Sequence, residues 1–105
     1  MRHARAELRW VPPEAGGRSQ MPSSPYTTVA TFAEADAATD GPWSLVCDFD
    51  ERNGERTTAR VHFLFEEAPH HLLRPEATFE LREGEKVVAH GAVERITAED
   101  PITER

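Results

Sequence analysis

Short segments in which apolar residues alternate with polar ones dominate this sequence. Ala6, Leu8 and Trp10 alternate with charged residues, and the segment 43–49 repeats the same period of two. Successive side chains of a β-strand point to opposite faces, so this period predicts strands that are buried on one face. Residues that favour turns, chiefly Gly, Pro, Asn, Asp and Ser, separate the segments. A chain patterned in this way is expected to adopt an all-β fold.

Six strands are predicted, and no segment carries a convincing helical pattern. A closed barrel would remove the strand edges that invite aggregation, so we expect a single six-stranded antiparallel β-barrel. Asn53-Gly54 is expected to form the turn of one hairpin, and Gly91 to carry a bulge in the last strand. Val61, Phe63 and Phe65 are expected to share the inward face of the fourth strand. The predicted strands contain Ala6–Trp10, Tyr26–Phe32, Trp43–Phe49, Val61–Phe65, Phe79–Leu81 and Lys86–Ile96.

The length of 105 residues suits one domain. The barrel is expected to span residues 5–96, with a flexible N-terminus at 1–4 and a flexible C-terminal tail at 97–105. The single cysteine, Cys47, permits no internal disulfide, which fits a reducing cytoplasm. It lies at an inward position, where a small buried apolar residue is a better interpretation than a nucleophile. No apolar stretch approaches a membrane span or a signal peptide, so we expect a cytoplasmic protein without a membrane partner.

The charge balance constrains the partner. The chain carries 19 acidic and 12 basic residues, a net charge of −7. This overall field opposes nucleic acid, although a local basic patch could still bind it. The field favours a partner protein with a basic surface. The alternative interpretation is that the charge only keeps a small domain soluble.

Two segments resemble a known protein family. One is Glu14-Ala-Gly-Gly-Arg18, followed by a strand that begins near Tyr26; the other is Phe79-x-Leu-Arg-Glu-Gly84, which continues to Gly91-Ala-Val-x-Arg-Ile96. Both are similar to motifs in the C-terminal β-barrel, the third domain, of translation elongation factor Tu. The resemblance implies a stand-alone barrel homologous to that domain, without the nucleotide-binding domain of the factor.

The resemblance also implies a possible RNA contact. In the family, an Arg-Glu-Gly turn touches the T-stem backbone of aminoacyl-tRNA, and Arg82, Glu83 and Gly84 match that turn. A bare backbone at the glycine would let a phosphate or sugar approach closely. The next two residues depart from the family pattern, which has Gly-Arg where this chain has Glu85 and Lys86. The added carboxylate would repel a phosphate, which argues against the transfer of this role.

Residues that could carry chemistry are few. His70 and His71 are adjacent in a loop, with His62 nearby in sequence, and histidines are common metal ligands. Neighbouring residues rarely point at one ion, so an exposed loop explains the pair better and we expect no bound metal. No phosphate-binding glycine loop, catalytic triad or acid–base carboxylate pair is recognisable, so we expect no cofactor and no enzymatic activity.

The sequence therefore favours a small non-enzymatic binding or adaptor module whose partner is another protein. Loops carry binding function more often than barrel walls do. One alternative is an accessory translation factor that contacts RNA or a translation GTPase, with Arg95 joining the hairpin residues. A second is a metal-dependent enzyme that uses the histidines. The oligomeric state is left open. The candidate partner contacts are Gly16, Gly17, Arg18, His70, His71, Arg82, Glu83, Gly84 and Lys86.

Overall fold

A computed structural model describes residues 1–35 and 40–99 of the chain. Within these residues, six strands form one closed antiparallel barrel in the order β1-β4-β3-β2-β5-β6, which confirms the predicted fold class. None of the helices in this part of the chain is long and apolar enough to cross a membrane. The strands are β1 (Arg2–Trp10), β2 (Tyr26–Phe32), β3 (Trp43–Asn53), β4 (Arg56–Phe63), β5 (Thr78–Glu83) and β6 (Lys86–Glu99), and single 3₁₀ turns lie at Pro13–Ala15 and His70–Leu72.

The interior is filled by the apolar positions of the alternating pattern. Ala4, Ala6 and Leu8 on β1 are fully buried, and the larger side chain of Phe63 on β4 is buried as well. Cys47 is also fully buried, as predicted, and burial raises the pKa of its thiol to about 12. A thiol with so high a pKa stays protonated at neutral pH and packs as a small apolar group.

The antiparallel order gives the barrel two distinct ends. One end, called here the turn end, holds the connection 11–25 and the two-residue turns Gly54–Glu55 and Gly84–Glu85. The other, called here the terminus end, holds the connections 33–42 and 64–77, the start of β1 and the finish of β6. Part of the predicted loop at 33–41 lies outside the described residues.

The prediction of a bulge at Gly91 was wrong. Gly91 pairs regularly with Leu8 on one side and Phe79 on the other. The register shift in the last hairpin falls where Leu81 pairs with Ala89 and the next residue of β5 pairs with Val87. Val88 is therefore the extra residue, and both it and Ala89 are buried. A Cβ on Gly91 would lie 2.2 Å from the ring of Phe79, so the glycine makes room for that ring.

Two further details of the strands differ from expectation. β4 ends at Phe63, and Phe65, predicted to face inward, is 46% exposed. The hairpin between β3 and β4 turns at Gly54–Glu55, one residue later than predicted, because Asn53 still pairs with Arg56. In both two-residue turns a glycine with positive φ takes the first central position, an arrangement that suits the twist of a β-hairpin.

The paired strands extend beyond the predicted barrel limits of 5–96. Arg2 pairs with Glu99 across β1 and β6, and their side chains form an ion pair of 2.8 Å. Each of these strands is thus three residues longer than the predicted boundary at that end. The last six residues of the predicted tail, 100–105, lie outside the described part of the chain.

Candidate functional site

The structure separates the predicted contact residues between the two ends of the barrel. At the turn end, the segment containing Gly16, Gly17 and Arg18 lies against the hairpin formed by β5 and β6. The hairpin contributes the predicted contacts between residues 82 and 86 to the same end. His70 and His71 lie at the terminus end, in the connection between β4 and β5. No single surface can therefore include the whole predicted set.

The turn end is joined by a network around Glu83. The Arg18 guanidinium and the Tyr26 hydroxyl both donate to the same carboxylate oxygen, Oε2 of Glu83. The hydrogen bond from Tyr26 and the ion pair with Arg18 hold the pKa of Glu83 below its usual range. Burial, followed by the bond to Glu83, raises the pKa of Tyr26 to about 12. Residues 14–25 of the 11–25 connection are called here the 14–25 loop. The Glu83 carboxylate on β5 therefore joins this loop to β5 and β2.

A cluster of three aromatic rings, which includes Tyr26, packs beside this network. The rings of Trp10, Tyr26 and Phe49 lie with centroids 5.8 to 6.4 Å apart, in tilted and edge-to-face arrangements. The Trp10 indole N–H donates to Thr57 Oγ1 at 2.8 Å inside the barrel. Arg52 lies over the Phe49 ring at 5.4 Å and donates to a carbonyl of the 14–25 loop. These contacts close the turn end of the core.

The other predicted contacts of the turn end also have structural roles. A Cβ on Gly17 would lie 1.7 Å from the Val11 carbonyl oxygen, so only glycine fits there. Gly84 has a φ of 65° and open space around it, so the turn itself requires the glycine. Arg82 donates to Glu80 on its own strand. Gly16 ends the first 3₁₀ turn, and Lys86 is exposed. Their role as partner contacts remains a prediction.

A small groove borders the network. It has a volume of about 190 Å³ and lies between the start of the 11–25 connection and the β3–β4 turn. Trp10 and Arg18 contribute to its wall, as does Met21, which is 39% exposed. The groove adds apolar surface to the turn end.

The histidines at the terminus end are held by local contacts. The His70 ring meets Phe63 edge-on at 5.8 Å, and its Nε2 lies 2.8 Å from the Glu66 carbonyl oxygen. His71 lies 4.0 Å from an Asp40 carboxylate oxygen. The His62 ring lies 4.6 Å from the His3 ring in a tilted arrangement across β1 and β4, where burial and that neighbouring imidazole lower the pKa of His62. Among the described residues, no group of three or more His, Cys, Asp or Glu could hold a metal ion.

A second feature of the terminus end was missed by sequence reasoning. Residues 64–67, called here the 64–67 tip, follow β4 directly and are all exposed. Leu64 and Phe65 are the most exposed large apolar side chains in the described part of the chain, at 45% and 46%. The half-buried Trp43 ring lies 6.3 Å from the Phe65 ring. The alternation at 61–65 hid the tip, because a period of two cannot show where the partner strand ends.

The carboxylates of the tip are available to a partner. Glu66 and Glu67 are both exposed, and neither forms an ion pair with any residue that the structure describes. The tip therefore places two apolar side chains beside two uncompensated negative charges. The fold is that of a small all-β protein with a closed barrel. No protein-family model matches the sequence, and no curated protein matches it significantly.

Proposed function

We propose that this chain is a non-enzymatic binding module that recognises a partner protein through the 64–67 tip. The observation that carries the proposal is the joint exposure of Leu64 and Phe65 at the rim of a closed barrel. Large apolar side chains exposed side by side, next to the Trp43 ring, are typical of interaction surfaces. Aromatic residues of this kind often supply the largest share of binding energy in an interface.

The charges of the tip indicate the chemistry of the partner. Glu66 and Glu67 directly follow the apolar pair, and the whole chain carries a net charge of −7. A partner segment with Lys or Arg beside an apolar side chain would satisfy both features. Complementary charge speeds encounter, and burial of the apolar pair slows dissociation.

Affinity capture from native lysate, quantified by mass spectrometry, tests this proposal. The double variant Leu64→Ser, Phe65→Ser removes the apolar pair from exposed positions, so the barrel is expected to remain folded. The matched control is Met21→Gln with Val29→Thr, because these are the other two exposed large apolar side chains in the described residues. We expect a protein that is retained by the native chain and the control and lost with the tip variant.

A third variant separates the apolar term from the charge term. Glu66→Gln with Glu67→Gln keeps the apolar pair and removes the charges, so it should weaken capture most at low salt. Identical sets of captured proteins for the native chain and the tip variant would contradict the proposal.

We further propose that the barrel is related to the third domain of elongation factor Tu and works in the cytoplasm. The β5–β6 hairpin supports the first point, because it carries the segment Phe79 to Ile96 on which the resemblance rests. The lone, buried Cys47 supports the second. An accessory role in translation would follow from such kinship. Recovery of a GTPase or a ribosomal component in the capture experiment would support that role, and an unrelated partner would count against it.

A further inference from the structure

The charges of this protein are distributed very unevenly over the barrel. Strands β1, β4 and β6, which are neighbours, together carry seven Lys or Arg and only three Glu, a net charge of +4. The total net charge of the chain is −7, so the other residues together carry a net charge of −11. Solvent-exposed charges are screened over about 8–10 Å at ordinary salt, so a ligand on one wall responds mainly to that wall. We call the outward face of these three strands the β4–β1–β6 wall.

The strand register concentrates arginines into rows across this wall. Arg5 on β1 lies directly opposite Arg60 on β4 and also directly opposite Arg95 on β6. Four residues further along β1, on the same face of the strand, Arg9 lies opposite Arg56. Residues directly opposite in an antiparallel pair have Cα atoms about 5 Å apart, so like charges there are unfavourable. Three such pairs lie within this wall. Nearby carboxylates, such as Glu94 beside Arg5, offset part of the repulsion, and an anionic ligand would relieve the remainder.

Most of these arginines reach solvent. The side chains of Arg56 and Arg60 are each 59% exposed. Arg9 and Arg95 are exposed and have no ion pair with any residue in the described part of the chain. The remaining arginines of the two rows form ion pairs near the surface. Arg5 contacts Glu94 at 3.2 Å and Asp50 at 3.7 Å, Arg56 contacts Glu7 at 3.7 Å, and Arg60 contacts Asp48 at 3.9 Å. Exposed pairs of this kind are worth little, so a phosphate can compete with them.

The arrangement suits an extended polyanion. Neighbouring strands lie about 4.8 Å apart, and four residues along a strand span about 13 Å. The row around Arg5 and the row around Arg9 together therefore cover an area that only a ligand with repeated charges can bridge. The guanidinium group matches phosphate with two parallel hydrogen bonds, and all but one of the basic residues on these strands are Arg.

The wall also indicates which form of nucleic acid fits. Trp10 and Phe63, the only Trp, Tyr or Phe residues on these strands, are buried, so bases have no large aromatic platform on which to stack. The other rings are imidazoles, and those of His3 and His62 lie against each other. Proteins that bind single strands generally use such platforms. We propose that the β4–β1–β6 wall binds the phosphate backbone of double-stranded nucleic acid without reading its sequence. This surface is separate from the 64–67 tip and from the Arg82–Gly84 turn, so it does not depend on the proposed protein partner.

Two matched triple variants test this proposal. Arg9→Gln, Arg56→Gln and Arg60→Gln neutralise the wall, whereas Arg52→Gln, Arg74→Gln and Arg82→Gln neutralise three arginines outside it. Both variants change the net charge by the same amount, so only the location of the lost charges differs. Fluorescence anisotropy with short duplex RNA and duplex DNA is measured over a salt series, with the matching single strand and poly-glutamate as competitors. Thermal melting confirms that each variant is folded.

The native chain is expected to bind both duplexes at low salt, with log K falling linearly against log salt at a slope of about −3 to −4. The wall variant is expected to lose at least about tenfold in affinity and to give a shallower slope, while the control stays within about twofold. Absence of duplex binding at low salt overturns the proposal. Equal losses in both variants, or stronger binding of the single strand or of poly-glutamate, overturn it as well.

Discussion

Glu83 joins two separate segments at the turn end of the barrel. Its carboxylate accepts hydrogen bonds from Arg18 and Tyr26, which belong to the 14–25 loop and to β2. Glu83→Gln removes the ion pair and weakens both bonds. We expect a loss of about 1 kcal/mol in the free energy of unfolding at pH 7, because these side chains are partly exposed. Urea denaturation measures the loss, and Glu85→Gln in the same turn, which should change stability little, is the control.

The stability difference between the native chain and Glu83→Gln is expected to depend on pH. The folded protein holds the pKa of Glu83 below its usual value, so the folded state favours the ionised form. Its contribution to stability is therefore complete above the unfolded pKa of about 4.3 and is lost as pH falls through the lower folded value. The stability gap between native chain and variant should shrink in that acidic window. A gap that stays constant from neutral to acidic pH would show that Glu83 acts through packing alone.

Gly91 is the second residue whose replacement has a sharp expected outcome. A methyl group there would overlap the Phe79 ring, with 2.2 Å between the nearest carbon atoms. Gly91→Ala should therefore lower the free energy of unfolding by about 1–3 kcal/mol through overpacking. Combining it with Phe79→Leu should recover part of that loss, because the smaller side chain frees the space. Thermal melts of the two single variants and the double variant give the coupling energy, and purely additive losses would contradict the steric explanation.

At the scale of the strands, the alternation predicted six elements but not their ends. The inward face of β1 could be predicted from Ala6, Leu8 and Trp10, since burial of one face is a local property of the sequence. The end of β4 could not, because Phe65 continues the alternation while the pairing of that strand stops at Phe63. The bulge was misplaced for a similar reason. A glycine is a common local sign of a bulge, whereas the need for Gly91 comes from a ring on another strand.

The candidate sites show the same limit. The arginine rows depend on which residue of β4 and β6 faces Arg5, and this register is set by contacts between distant parts of the chain. The link between Arg18 and Glu83 joins residues 65 positions apart. The sequence singled out both of these residues, each in a segment that resembles the same family, but could not show that they touch. Exposure of the 64–67 tip likewise follows from pairing that stops, which no local pattern records.

The last residue pairs between β1 and β6 are expected to contribute to the stability of the barrel. The pairing of Arg2 with Glu99 closes the barrel beyond the expected limit at residue 96. A chain that ends at Ile96 loses the last pairs between β1 and β6 and should be less stable by about 1 kcal/mol than a chain that ends at Glu99. Hydrogen exchange should show faster exchange at the start of β1 in the shorter chain. Equal stability and equal protection would mean that these last pairs contribute nothing.

At the scale of the whole molecule, the net negative charge is the sum of one positively charged wall and a negatively charged remainder. A total of −7 favours a basic partner, and the 64–67 tip is placed for one. The same chain carries +4 on three neighbouring strands, where the net charge suggested that nucleic acid would be repelled. A barrel with principal extents of 45 × 31 × 25 Å is larger than the screening length of about 8–10 Å, so its wall and its end can act separately.

This separation predicts that the two surfaces bind independently. Replacements at sites more than about 7–10 Å apart with no shared contacts usually have additive effects, and Leu64 lies four residues beyond Arg60 along an extended chain. The tip variant should therefore keep duplex affinity within about twofold, and the triple wall variant should retain the captured protein. A duplex added to the captured complex should then join it rather than displace the partner. Competition between the duplex and the partner would instead show that one continuous surface serves both ligands.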